Sequence, residues 1–371
     1  MHAITSLELS LAIGELKGRI EGSYLKKFYD LGDGQFRFLF HSREGNMIVY
    51  CNLASTFNKT SFLEESKSAT NFAIAMRRRI EDSRVISIMQ HNSDRIVVME
   101  LESKGIAHRI VVEMFAKGNL VLADAQWNIE LCYRIASYKD REIRPRERYM
   151  FPESNSVAME GLSDDAISDM LSKASSSGAR MIAELSKTMN IGPLYLENII
   201  TSAGLDPKAA LGSSDVGRLG QAMRRFMERL RQPEPVAYIR DGKIVDYAVV
   251  PLKKYEGLAL ESFASVNDML DRAWLAERGR STAADQPHTK EVEEIEASLG
   301  KQKQLVDEFN SNSAMFAEYA RAIFQRMGEI NALVARIREL KKPSAQELRE
   351  EFEDLNITEI NLKDKKVIID I

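Results

Sequence analysis

The feature that most narrows what this chain can fold into is a seven-residue apolar repeat towards its C-terminal end. Ile295, Gln302, Phe309, Phe316, Ile323, Ile330 and Ile337 stand seven residues apart. A second set, Leu299, Val306, Ser313, Ala320, Met327 and Val334, follows four residues behind each of the first six. Eleven of these thirteen positions are apolar, so on a helix they form one continuous seam over six heptads. That seam predicts a coiled-coil arm over 290–355, made of a long helix to about 341 and a short one from Ala345 to Asp354. No second helix of matching length follows; NITEINL and KKVIIDI read as a terminal β-hairpin over 356–371. The partner helix is therefore expected beyond this chain or in a second copy, as a homodimer through 295–337.

Upstream, the apolar period changes from 3.5 to 2. After an opening helix, in which Thr5 and Glu8 have capping-box spacing and Leu9, Ile13, Leu16 and Ile20 make a stripe, come short alternating runs. YLKKFYD, QFRFLF, NMIVYCNL, RVISIMQ, RIVVMEL, HRIVVEMF, NLVLADA and NIELCYRI read as strands of an antiparallel meander, sandwich or open barrel. A basic helix capped by Thr70 or Asn71 interrupts them. Residues 1–155 thus form a β-rich domain. Residues 156–232 are helical, with Ile191-Gly192-Pro193 between two helices: either a plain αα-hairpin or a helix-hairpin-helix whose turn amides can hold a phosphate. A β-hairpin and short helix follow over 233–276, then a polar linker over 277–289. The fold class is α+β.

Composition removes several classes of function. The chain has 371 residues, 44% hydrophobic and 29% charged, with a net charge of −4. It is not uniformly basic, although 76–84, 138–148 and 213–232 are locally Arg-rich and are either solvated faces or nucleic-acid contacts. Cys51 and Cys132 lie in apolar runs without a CxxC partner and read as core residues of a reduced compartment. No signal-peptide pattern or membrane-length apolar run is present, which points to the cytoplasm and no membrane partner. The histidines His2, His41, His91, His108 and His288 are scattered. No metal set, phosphate loop or catalytic triad is visible, so neither a cofactor nor enzymatic activity is expected.

TSLELSLAIGELKGRIEGSYLKKFY, TNFAIAMRRRI, RVISIMQHNSDRIVVMEL, VVEMFAKGNLVLAD, NIGPLYLENIITSAGLD and PLKKYEGLALESFASVNDMLD occur in that order. In this respect the chain resembles the NFACT family of ribosome-associated quality-control factors, also labelled fibronectin-binding proteins, over nearly its whole length. The resemblance implies binding to a large ribosomal subunit that carries nascent peptidyl-tRNA, and recruitment of tRNA for template-free tailing. It implies a head like that of formamidopyrimidine-type DNA glycosylases, which attack with an N-terminal proline followed by glutamate; His2 and Ala3 stand there instead.

The family's Asp-Arg pair matches Asp94 and Arg95, and its acidic residue of the first helix matches Glu8, where many relatives carry Asp. Arg95 offers a planar fork suited to phosphate or a guanine edge, and Asp94 can orient it or accept from a base or a 2′-OH. Without the resemblance, the same residues read as a turn and an exposed ion pair, and Glu8 reads as a capping residue. Asn71, Arg77 and Arg78 join them as expected tRNA contacts. Gly192, Lys117, Arg224 and Arg225 are expected ribosome or RNA contacts, and Asn119 lies in a matched motif. Two other readings stay open: a scaffold that uses its arm to bind a helical partner, and a DNA-processing enzyme.

Overall fold

The computed structural model describes residues 1–62, 69–154, 159, 162–284, 289–339, 344–353, 355–361 and 366–370. They fall into two compact units, Met1–Ala284 and Asp285–Ile371.

In the first unit α1 (Ser6–Ile20) starts at the expected capping box: Thr5 accepts from the Glu8 N–H, and Glu8 accepts from the Thr5 N–H at 2.7 Å. Its stripe Leu9, Ile13, Leu16 and Ile20 is buried. The strands are β1 (Tyr24–Gly32), β2 (Gln35–Ser42), β3 (Gly45–Asn52), β4 (Thr56–Thr60), β5 (Ser83–Gln90), β6 (Ile96–Ser103), β7 (Ile106–Glu113), β8 (Asn119–Asp124) and β9 (Ile129–Cys132). Of the three layouts open from sequence, the chain adopts one nine-stranded antiparallel sheet in the order β4-β3-β2-β1-β5-β6-β7-β8-β9. After β4, α2 (Asn71–Ile80), capped by Thr70, carries the chain back so that β5 pairs with β1 through Tyr24↔Arg84.

Each face of the sheet has its own core. α1 packs on one; on the other, Ile96, Val98, Val111 and Val121 are covered by Ile143 and Tyr149. The covering segment includes β10 (Ala136–Ser137) and β11 (Glu142–Ile143). Arg141 anchors it, donating to Glu113 Oε1 at 2.6 Å, and Tyr149 donates to the same oxygen at 2.7 Å. Part of the 138–148 basic run is therefore a buried ion pair and not a solvated face.

Next come α3 (Asp164–Ser176), α4 (Met181–Thr188), α5 (Pro193–Ser202) and α6 (Val216–Leu230). The hairpin expected after them gains a third strand: β12 (Val236–Arg240) pairs with β13 (Lys243–Ala248) and with β14 (Ala259–Ser262), which a 3-10 turn at Lys253–Tyr255 precedes. α7 (Val266–Ala284) starts where Glu15 takes the N–H groups of Val266 (2.7 Å) and Asn267 (3.0 Å). It runs through 277–284, the first part of the stretch expected as a linker. The run AERGRSTAA is rich in helix formers, and the single Gly279 does not outweigh them. Residues 285–288 lie outside the described residues.

The second unit holds α8 (Thr289–Gln325), α9 (Met327–Glu339), α10 (Ala345–Glu351), β15 (Asn356–Asn361) and β16 (Lys366–Asp370). The long helix expected from the heptads is interrupted at Arg326, and α10 ends three residues earlier than expected. Among the described residues no second long helix packs along the seam. Seam residues Phe309 and Phe316 are 68% and 61% exposed, and Leu299 and Val306 are also open to solvent. Among the described residues the seam finds cover at its C-terminal end, where Ile330 and Ile337 pack with Leu333, Leu348 and Leu355 against the terminal hairpin.

Candidate functional site

Three elements of the first unit converge at the N-terminus of α1. The β5–β6 connection is one. Asn92 and Ser93 have φ of 45° and 55°, the geometry of a tight two-residue hairpin turn, and the Asp94 N–H closes it on His91 O at 2.8 Å. Non-glycine residues adopt these angles only when held. Here Asn190 Nδ2 donates to Ser93 O (3.2 Å) and to Asp94 Oδ1 (3.0 Å), Ser154 Oγ donates to Asp94 Oδ1 (3.1 Å), and the His91 ring stacks on Phe151 at 3.6 Å.

The α4–α5 turn is the second element. Ser6 Oγ donates to Asn190 O. Gly192 has φ +92°, and a Cβ there would lie 2.6 Å from Thr5 Cγ2. Glycine is required both for the backbone angle and for the close approach of the turn to α1. The third element is the segment 246–254 of the small sheet.

Between them opens a cleft of about 400 Å³ whose wall includes His2, Thr5, Arg95, Gly192, Glu197 and Lys254. Its floor is an ionic cluster that the sequence did not reveal. His2 Nε2 lies 2.9 Å from Glu8 Oε1 and its Nδ1 2.6 Å from Asp246 Oδ1. Tyr195 donates to Glu8 Oε1 at 2.6 Å, and Tyr255 donates to Asp246. Burial alone would lower the imidazole pKa, but Glu8 and Asp246 outweigh it and raise it to about 10, so His2 is an imidazolium. Burial would raise Asp246, yet the hydrogen bonds from His2 and Tyr255 bring it down to about 2.

Arg95 stands apart from this neutralised cluster. Its guanidinium, half-buried, makes no ion pair or hydrogen bond among the described residues, and burial draws its pKa below the ordinary value. Among the described residues it lines the mouth of the cleft without an ion pair, whereas Lys254 faces Glu197 at 3.9 Å.

The structure thus brings Arg95 and Gly192 together, with Asp94 behind them as an acceptor that holds the turn. Glu8 is fully buried under His2 and has no face in the cleft. Asn71, Arg77, Arg78 and Lys117 do not line it. Asn71 and Arg78 are exposed on α2, while Arg77 donates to Phe28 O at 2.7 Å. Lys117 is exposed on the β7–β8 turn. Asn119 is buried and bonds Arg134 O at 2.8 Å, a structural role. Arg224 pairs with Asp164 at 3.0 Å, and Arg225 is exposed on α6. His2, Asn190, Tyr195, Asp246 and Lys254 were not legible in advance, because their partners are distant in the chain.

Among the described residues no group of His, Cys, Asp or Glu has the arrangement of a metal site, and no helix is long and apolar enough to cross a membrane.

Known proteins resemble this chain over most of its length. The archaeal Rqc2 homolog aRqcH of Methanocaldococcus jannaschii is 26% identical over 286 residues, 72% of this chain and 41% of that protein. The ribosome quality control complex subunit NEMF of Mus musculus is 22% identical over 236 residues, 62% of this chain and 22% of that protein. The chain thus spans less than half the length of either relative. The crystal structure of a fibrinogen binding protein from Staphylococcus aureus superposes with a TM-score of 0.62 at 17% identity, covering 72% of this chain and 97% of that one, a likeness of fold. The family described as "NFACT N-terminal and middle domains" matches residues 5–370, and the chain belongs to that family.

Proposed function

We propose that this protein is a ribosome-associated quality-control factor. In this reading it binds the large ribosomal subunit carrying peptidyl-tRNA and recruits tRNA for template-free tailing of the stalled nascent chain. The ribosomal part is supported by relatives named as ribosome quality control subunits. The observation that carries the RNA part is Arg95: a half-buried guanidinium without a partner among the described residues, held on a braced turn at the mouth of a cleft. A desolvated fork of donors is costly until an acceptor arrives, and phosphate or a base edge supplies one. Asp94 acts here by positioning, since its Oδ1 is engaged by Asn190 and Ser154. The protein itself does no covalent chemistry in this reading. His2 and Ala3 stand where the resemblance places the proline and glutamate of the glycosylases, and the His2 ring is held between Glu8 and Asp246.

Replacing Arg95 tests the proposal. Arg95→Ala is expected to weaken tRNA binding about ten- to a hundredfold, since hydrogen bonds to charged groups are worth about 1.5–3 kcal/mol, with the melting temperature kept. Arg95→Lys is expected to recover part of the affinity, as a point charge without the fork. Unchanged tRNA recovery and unchanged tailing in a folded Arg95→Ala protein would remove the site.

A second reading, an interaction protein that pairs through its arm, is favoured by one observation: the exposed seam of α8 at Leu299, Val306, Phe309 and Phe316. Its most economical partner is a second copy of the chain.

A further inference from the structure

A second depression, of about 280 Å³, opens farther along α5. Its apolar floor is Ile199, Ala222 and Phe226, all buried. Around that floor stand Asn198, Arg225, Arg229 and Lys253. Arg225 and Arg229 are one helical turn apart on α6, where like charges repel. Arg229 has a weak carboxylate neighbour, Glu234 at 3.9 Å. The side chains of Arg225 and Lys253 are exposed and make no ion pair or hydrogen bond among the described residues.

Asn198 supplies an independent sign of a ligand. It is 8% exposed, and its Oδ1 accepts from the Lys253 N–H at 3.1 Å. That bond fixes the orientation of the amide, so the atom left over is the Nδ2 donor, which has no partner among the described residues and belongs to the groove wall. An apolar floor ringed by three cations and one preset amide donor has no carboxylate among its lining residues. Its chemistry calls for an anion.

This groove also adjoins the Arg95 cleft. Glu197 and Lys254 line the cleft, while their chain neighbours Asn198 and Lys253 line the groove. The Glu197–Lys254 pair, 3.9 Å and about half exposed, forms the low ridge between them. Along α5, Pro193 in the cleft and Ser202 in the groove are about 14 Å apart at 1.5 Å per residue. A stacked strand advancing about 3.4 Å per nucleotide covers that distance in about four nucleotides.

We infer that the groove between α5, α6 and the Lys253 turn is a second anion site, holding backbone phosphates of the same RNA strand that enters the Arg95 cleft. The inference rests on the RNA reading given above and extends it: the cleft engages one nucleotide segment, and the groove grips the chain beyond it without reading sequence.

The test uses the full chain with three probes, bulk tRNA, a labelled mixed-sequence single-stranded oligoribonucleotide and poly-glutamate, titrated across a salt series. Arg225→Ala with Lys253→Ala is expected to weaken both RNA complexes. The slope of log K against log salt should become shallower by about 1.4, at about 0.7 per lost phosphate contact on a single strand. Both side chains are exposed, so the melting curve should stay that of the wild type. Lys208→Ala with Lys243→Ala removes the same charge from exposed positions elsewhere and should leave the slope unchanged. Wild-type affinity and slope in the groove variant, alongside a loss in Arg95→Ala, would overturn the groove and keep the cleft. A slope lowered equally by the control pair would reduce the groove to bulk electrostatics. Loss of poly-glutamate binding with RNA binding intact would assign it to an acidic protein. No RNA binding by the wild type at low salt would sink the cleft and the groove together.

Discussion

At the scale of the residue, His2 is the side chain whose role changed most. In the sequence it is one of five scattered histidines; in the structure it ties α1, through Glu8, to β13, through Asp246. The partner is 244 positions away, so no local pattern announces the contact. Its protonation has a thermodynamic consequence. Raised from 6.5 to about 10 in the folded state, His2 contributes stability that is complete below pH 6.5 and is lost as the pH rises towards 10. Asp246, lowered from 3.8 to about 2, contributes above pH 3.8 and loses that contribution as the pH falls towards 2. Melting temperatures of the wild type should therefore decline between neutral pH and pH 10, and His2→Gln should flatten that decline. Parallel curves for the two proteins would show that the clamp carries no proton-linked stability. Asp94 and Arg95 were legible only as a pair of types; that one braces the turn while the other faces the cleft follows from Asn190 and Ser154, which meet them from elsewhere in the chain.

Elements were easier to read, because their signals are periodic and local. The capping box, the α1 stripe and most strands of the sheet follow from residue order alone. β4 escaped notice because TFNKT has no alternating apolar pattern; it exists by pairing with β3, with Cys51 opposite Phe57. The start of α7 near Val266 was legible, but the group that caps it was not. Glu15 of α1 receives both of its first N–H groups and Asn267 Nδ2 at 2.7 Å, so the cap comes from 251 residues upstream. Glu15→Ala should destabilise the first unit by about 1–2 kcal/mol in urea unfolding, as losing an N-cap acceptor does, and without altering tRNA affinity. A stability change within error would mean that solvent caps α7 as well as Glu15 does.

For the whole molecule, the two units differ in how they hold together. The first has a core on each face of its sheet; the second is held by the small cluster around Leu333, Leu348 and Leu355, with most of its seam uncovered. If a second copy covers the seam, sedimentation velocity should show concentration-dependent dimers that Phe309→Asp with Phe316→Asp abolishes, while the first unit's melting stays unchanged. A monomer at all concentrations would exclude that partner. Residue order alone determined what is periodic or local: an α+β chain, a β-rich head, a hairpin pivoting on Gly192 and an apolar seam, because dihedral preference and hydrophobic period act between near neighbours. The tertiary structure decided what depends on distant meetings. It joined nine strands into one antiparallel sheet, buried Glu8 beneath His2, left Arg95 without an ion pair among the described residues, and set a second basic groove beside its cleft. Charges separated by hundreds of residues have no signature in the chain until folding brings them within hydrogen-bond reach.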